Sequence, residues 1–265
     1  MTPRDTLESV EPATGYEITF PHNGALGQDE EWCLLHENGA TRKMRFHDYG
    51  EIYERPGLYE QLFYEHLECS SPETVARLFE RELTRAGVDA ATLRVLDVGA
   101  GNGMVGEQLV DVGADTIVGV DIIPQAAAAA ERDRPGVYDD YLVLDLTALD
   151  DETRGDLESR QLNALSCVAA LGFGDIPPAA FAAAYDVLVP GGWLAFSIKE
   201  DFLEERGGSG FARLIRELVD REMVEIRAQR RYRHRLSSSG KPVHYIALVA
   251  AKRAPGPAAP LAAQL

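Results

Sequence analysis

Residues 93–106, LRVLDVGAGNGMVG, decide how the rest of the chain is read. Leu93, Val95, Leu96 and Val98 form a short apolar run of the kind buried on both faces of a parallel sheet. Asp97 stands at its end, and Gly99, Gly101 and Gly103 follow at alternate positions. Beyond them Val105, Leu109 and Val112 recur at helical spacing, with Gly113 as a stop. A strand that enters a helix through glycines lets backbone come close to a ligand, because no Cβ stands in the way. The open amides of the helix start then face that ligand.

Outward from this turn, strand and helix signals alternate. Residues 116–121 (TIVGVD) read as a second buried strand, and Pro124 opens an alanine-rich helix that ends near Pro135 and Gly136. Residues 141–145 (YLVLD) are a third strand and residues 162–168 (LNALSCV) a fourth. Asp175-Ile-Pro-Pro starts a helix carrying Phe181, Tyr185 and Leu188, and Pro190-Gly191-Gly192 turns into a fifth strand over residues 193–198. Upstream, Ser71 with Pro72 reads as a capped helix start ahead of the stripe Val75, Leu78, Phe79 and Leu83. A polar loop over residues 199–210 precedes a helix with Phe211, Leu214 and Leu218 on one face. Residues 223–234 and 243–251 complete the sheet as a hairpin. The expectation is an α/β fold with a doubly wound, mostly parallel seven-stranded sheet and an antiparallel last strand.

Three segments follow from this reading: an extension over residues 1–71, a core over residues 72–252 and a Pro/Ala-rich tail over residues 253–265. The extension begins polar and poorly ordered. Asn38-Gly39 between residues 31–36 and 41–46 signals a β-hairpin outside the core. An aromatic-rich helix over residues 58–67 follows, with Tyr59, Leu62, Phe63 and His66 on one face. The composition of the tail predicts disorder.

At 265 residues and 45% hydrophobic content the chain can bury one sizeable core plus an extension. A net charge of −17 disfavours a general nucleic-acid binder, whose affinity rests on neutralising phosphates, and disfavours an anionic membrane. Cys33, Cys69 and Cys167 are odd in number and widely spaced, which argues against a disulfide framework or zinc knuckle. The six histidines lack metal-ligand spacing, so no metal is expected. With no signal pattern and no membrane-length apolar run, the chain reads as cytoplasmic.

Acids stand at the carboxyl ends of three successive strands: Asp97, Asp121 and Asp145. Gly101-Asn-Gly-Met-Val-Gly also fits the G-x-G-x-x-G of dinucleotide-binding turns, and an acid some twenty residues on suits a nicotinamide dehydrogenase as well. The turn, however, starts at Gly99 directly after an acid. D-V-G-A-G-N-G resembles the acid-x-Gly-x-Gly-x-Gly motif of class I S-adenosylmethionine (SAM)-dependent methyltransferases, and residues 72–251 are similar to that family through the terminal hairpin. Gly103-Met-Val-Gly, Pro135-Gly-Val-Tyr and Asp175-Ile-Pro more loosely resemble the Williams–Beuren-region methyltransferase-like group. The resemblance implies a Rossmann-like fold with SAM as cofactor. It places Asp97, Gly99, Ala100, Gly101 and Gly103 at the methionine portion, Asp121 and Ile122 at the ribose, Asp145 and Leu146 at the adenine, and Ala169 beside the sulfonium.

No residue is assigned as catalytic. The acceptor is expected to be a small molecule held under a lid of residues 46–68 and 199–210, with His47, Tyr49, Tyr53, Phe173, Lys199, Phe202 and His234 as candidates on that side. The segment around Tyr49 and Tyr53 resembles the entry segment of many small-molecule methyltransferases, with the second tyrosine one position early. Five arginines crowd residues 227–235, and in a regular strand Arg231, Arg233 and Arg235 share one face, either solvated or holding an anionic acceptor. A non-catalytic SAM-binding module is the alternative function, ahead of a protein methyltransferase.

Overall fold

A computed structural model describes residues 15–21, 26–171, 175–203, 210–253 and 257–263. The extension builds a three-stranded antiparallel sheet from β1 (Glu17–Thr19), β2 (Trp32–Glu37) and β3 (Ala40–Arg45), in that order. The β2–β3 connection is the expected two-residue loop, with Asn38 at φ 53° and Gly39 at φ 77°. Both left-handed residues match the twist of a tight hairpin. Strand β1 has no signal in the sequence, being three residues long; its partner is β2, reached across 17 positions. Two short helices follow, α1 (Tyr49–Tyr53) and α2 (Leu58–Glu60), the second running into a π-helical turn over Gln61–His66. The hairpin and these turns share one small core of Cys33, Leu35, Met44, Phe46, Leu58 and Leu62.

The core then alternates as expected. It runs α3 (Ser71–Ala86), β4 (Arg94–Val98), α4 (Met104–Val112), β5 (Thr116–Asp121), α5 (Pro124–Asp133), β6 (Asp140–Val143), α6 (Asp151–Ser159), β7 (Ala164–Leu171), α7 (Pro178–Asp186), β8 (Trp193–Lys199), α8 (Glu200–Leu203), α9 (Phe211–Asp220), β9 (Val224–Leu236), β10 (Pro242–Lys252) and α10 (Ala259–Ala262). The seven strands order as β6-β5-β4-β7-β8-β10-β9. Five are parallel, and β10 inserts antiparallel between β8 and β9. Successive residues of β4 serve opposite faces: Leu96 and Val98 pack with Phe181, Tyr185 and Leu214, while Val95 packs with Val75, Phe79 and Leu109. Burial on both faces is why the strand reads as an unbroken apolar run.

Several local expectations are corrected. Helix α6 leaves only Leu157 buried in an acidic segment, so it carries no apolar stripe to read. Residues 200–203 form a short helix within the expected polar loop, whose residues 204–209 lie outside the described residues. Ser71 does not cap α3; its hydroxyl pairs with the Tyr232 hydroxyl at 2.6 Å and His234 Nδ1 at 2.7 Å. The tail is not disordered throughout. The Asp186 carboxylate accepts the amides of Ala258 and Ala259, and Ala258, Leu261 and Ala262 are buried against the main core. Expected disorder at the start falls on residues 1–14, outside the described residues.

A bulge explains the arginine strand. Between β10 and β9 the register passes from Val243↔Arg235 to His244↔Arg233, so His234 is extra and the alternation flips. Arg231 and Arg233 stay outside, paired with Glu200 and Glu68. Arg235 turns inward, 4% exposed at its side chain, and donates to Glu31 Oε2 at 2.5 Å. Glu31 Oε1 accepts the Ser238 amide at 2.5 Å, so this buried pair fastens the extension to the hairpin. Breaking a buried pair by removing one partner costs about 3–5 kcal/mol, more than the pair contributes over an apolar substitute. Arg235→Met is therefore expected to lower urea-unfolding stability by about that amount, with Glu31→Gln/Arg235→Met recovering a clear part of it. A single variant as stable as the wild type would contradict the role of the pair.

Candidate functional site

The glycine turn closes onto its neighbouring strand through one carboxylate. The Gly101 amide donates to Asp121 Oδ2 at 3.0 Å, and the Ile123 amide donates to Asp121 Oδ1 at 3.0 Å. From below, the Tyr141 hydroxyl donates to the Gly101 carbonyl at 2.7 Å. Gly99 and Gly101 have φ of 69° and 55°, a region that L side chains rarely adopt. They also lack space: a Cβ on Gly99 meets Ile176 Cδ1 at 2.8 Å, and one on Gly101 meets the Tyr53 hydroxyl at 2.5 Å.

Two cavities meet over this turn. The outer one, about 400 Å³, lies at the carboxyl ends of β4, β5 and β6, and its wall includes Gly99, Asp121, Ile122, Asp145, Leu146 and Thr147. That volume suits a small-ligand cleft, roughly 300–1,000 Å³. The inner one, about 70 Å³, runs beneath the extension between Gly101, Asn102, Tyr64, His234, Arg235 and Tyr245. His47, Tyr49, Tyr53, Tyr59, Gly99, Ala169 and Asp175 are common to both walls. Ala169 is there because β7 runs past its expected end. The β7–β8 pairing slips between Cys167 and Leu171, and Ala169 takes φ 56° with its amide donated to Ser197 Oγ at 2.9 Å. A bulge that turns strand residues into a cavity wall is a usual device beside a site.

The sequence candidates separate by position. Asp121, Ile122, Asp145, Leu146, Gly99 and Ala169 line the outer cavity, and Ala100 and Gly101 the inner one. Gly103 lines neither and serves as the left-handed start of α4 at φ 91°. Asp97 also lines neither cavity. Its Oδ1 accepts Ser166 Oγ at 2.5 Å and its Oδ2 accepts the Tyr138 hydroxyl at 2.7 Å, so it braces the turn from within the sheet. His47, Tyr49, Tyr53 and His234 come together at the inner cavity, whereas Lys199 and Phe202 line neither, Lys199 pairing with Asp201. Phe173 lies outside the described residues. Tyr59 and Tyr64 fall within the expected lid segment without being marked singly as site residues, no motif marks Tyr245 or Gln28, and Asp175 reads in the sequence only as a helix start.

The groups lining the outer cavity fit a nucleoside. Each Asp121 oxygen already holds one amide and keeps a lone pair for a ribose hydroxyl. Burial raises the Asp121 carboxyl, opposed by its backbone amides. At Asp145, bonds from the Thr147 hydroxyl and amide fall on Oδ1 and lower its carboxyl, keeping it an acceptor. Ile122 is 59% exposed at the cavity rim, an apolar face that a base plane would cover.

Two expectations follow. Gly101→Ala should weaken binding of S-adenosylhomocysteine at least tenfold in calorimetry, and adding Tyr53→Phe should restore part of it, because the nearest atom then retreats to Cζ at 3.4 Å. Equal affinity of Gly101→Ala and wild type would count against the tight approach. Burial also pushes the Asp97 carboxyl up to about 6, against the opposing hydroxyls of Ser166 and Tyr138. A native carboxyl raised above its unfolded value keeps a proton that the unfolded chain releases, so stability falls as pH rises from about 4 to about 6 and is level beyond. Urea midpoints of the wild type minus those of Asp97→Asn should show that fall; a flat difference would contradict it.

Comparison with known proteins agrees with this geometry. The family described as "Methyltransferase domain" matches residues 63–239. A 73-residue stretch is 42% identical to the ribosomal protein L11 methyltransferase of Marinobacter nauticus, covering 27% of this chain and 24% of that enzyme. The match thus spans about a quarter of that relative's length. Among solved structures, the N-methyltransferase NodS of Bradyrhizobium japonicum, in complex with S-adenosylhomocysteine, superposes with a TM-score of 0.50 at 12% identity over 78% of this chain and 97% of that one. A candidate RNA methyltransferase of Pyrococcus horikoshii gives 0.50 at 12% identity over 70% and 88%. At such identities the likeness is one of fold. With the family matched over residues 63–239, most of the chain's length, the chain belongs to the methyltransferase domain family, with the Rossmann-like fold of the solved methyltransferases.

Proposed function

We propose that this enzyme methylates a small molecule held in the inner cavity. The observation that carries the reading is the shared wall: Gly99 and Ala169 line both the outer cavity, suited to the nucleoside, and the narrow inner chamber beside the extension. A space of about 70 Å³ walled by Tyr49, Tyr53, Tyr59 and Tyr64 favours a small acceptor over a polypeptide loop. In this reading Asp121 holds the ribose and Asp145 with Leu146 the adenine, Ile122, expected at the ribose, offers its exposed apolar side at the rim to the base, and the backbone of residues 99–102 holds the amino-acid arm. Asp97 and Gly103 support that backbone from outside the cavities.

SAM supplies a methyl already activated on positive sulfur, so the chain need only align the acceptor and exclude water. Alignment comes from the aromatic wall, and exclusion from the extension, which is fastened rather than loose. Asn102 donates to Glu60 Oε1 at 2.6 Å and Arg134 to the same oxygen at 2.7 Å, tying the lid helix to the glycine turn. Membership of a transferase family goes against the non-catalytic module considered from the sequence. A net charge of −17 goes against a large polyanionic acceptor, and three unpaired thiols support a cytoplasmic location. Among the described residues no helix is long and apolar enough to cross a membrane.

A protein acceptor is the second reading, favoured by the partial match to an enzyme named for ribosomal protein L11. Labelled SAM incubated with the enzyme and a fractionated cell extract separates the two. Label in the small-molecule fraction, with S-adenosylhomocysteine released in equal amount, is the expected result; label confined to protein would overturn it.

A further inference from the structure

The junction of the two cavities holds a proton-transfer pair. His47 Nδ1 lies 3.1 Å from Asp175 Oδ2 and 3.4 Å from Oδ1, and both residues stand in both walls. Their partnership spans 128 positions and joins the segment after β3 to the segment after β7. A carboxylate can only accept, so Nδ1 carries the ring proton and Nε2 is the acceptor nitrogen of the neutral ring.

The other titratable groups common to both walls do not suit the task. Burial holds the phenols of Tyr49, Tyr53 and Tyr59 above their ordinary range, which makes them donors near neutral pH. His234 lines the inner cavity alone; burial lowers it, and Ser71 engages its Nδ1. Asp121 lines the outer cavity and is engaged by backbone amides. Arg235, in the inner wall, is neutralised by Glu31.

Resting on the small-molecule reading above, we propose that the acceptor arrives as a protonated nucleophile, a hydroxyl or an N–H, and that His47 takes its proton while Asp175 positions the ring. The acceptor lone pair forms the new bond to the methyl carbon, and the carbon–sulfur pair returns to sulfur. The acceptor proton ends on His47 Nε2, leaving an imidazolium beside the Asp175 carboxylate. His47 is thus a catalytic residue and Asp175 a positioning residue. Asp175 touches the ring directly, an ion pair once the ring is protonated, and the Tyr49 ring lies 5.6 Å from it. Tyr53, Tyr59, Asp121 and Asp145 share the outer wall with His47, and Arg235 the inner one.

The test has two independent readouts. Nitrogen-15 spectra of the histidine ring in the S-adenosylhomocysteine complex should show His47 protonated at Nδ1, with the tautomers mixing in Asp175→Asn. Methylation of the extract by His47→Gln should fall about 100-fold or more at pH 7, with S-adenosylhomocysteine affinity within threefold of wild type. The acidic limb of the wild-type pH–rate profile should vanish in that variant. Asp175→Asn should lose about tenfold and keep the limb. Wild-type turnover by His47→Gln, or an Nε2-protonated ring in the wild type, would overturn the pair. A wild type that labels protein only would overturn the small-molecule reading instead, and this proposal with it.

Discussion

The carboxylate of Asp121 holds the glycine turn against the end of the second parallel strand, and the remaining architecture depends on that closure. Two amides, from Gly101 and Ile123, reach its two oxygens, so the turn after β4 and the turn after β5 are fixed relative to one another. Their spacing sets the mouth of the outer cavity. Beneath them, Asp97 locks the same turn to β7 through Ser166 and to the α5–β6 connection through Tyr138. Asp121 lines the outer cavity and Asp97 is bonded within the sheet, although both stand at strand ends. Burial raises both carboxyls, Asp97 to about 6 against the hydroxyls of Ser166 and Tyr138, and Asp121 against backbone amides.

The extension turns an open cleft into a divided one. Its own core is small, and its attachment runs through polar contacts: Glu31 with Arg235, Glu60 with Asn102 and Arg134, and the Tyr53 carbonyl accepting from Arg132 at 3.0 Å. Because these contacts land on the glycine turn, on the helix after β5 and on the terminal hairpin, the extension registers against three elements that also shape the site. The π-helical turn over Gln61–His66 carries Phe63 and Tyr64 into the inner wall. An extra residue in a helical turn shifts the side chains that follow, a common means of aiming them at a site.

Much of this was legible in the sequence where period and spacing carry meaning. The parallel strands announce themselves as apolar runs, the Asn38-Gly39 hairpin by its dipeptide, and the glycine turn by its acid. What escaped depends on tertiary context. Strand β1 and helix α6 are too short or too polar to show a period. Regular alternation puts Arg235 on the face of Arg231 and Arg233, and the apolar run ends at Val168, whereas the bulge at His234 turns Arg235 inward and the irregular pairing between Cys167 and Leu171 carries the strand past Ala169. The tail was read as disordered from composition, because nothing local reveals that Asp186 accepts its amides. Equally, the meeting of His47 with Asp175 joins residues that no linear pattern relates.

In the proposed function everything turns on the nucleoside in the outer cavity meeting the acceptor chamber at Gly99 and Ala169. A crystal structure of the protein with S-adenosylhomocysteine tests it most directly. The expected pose puts the ribose hydroxyls on Asp121, the adenine between Ile122 and Leu146, and the sulfur between Gly99 and Ala169. A ligand bound with its sulfur turned to solvent, away from the chamber beneath the extension, would contradict it.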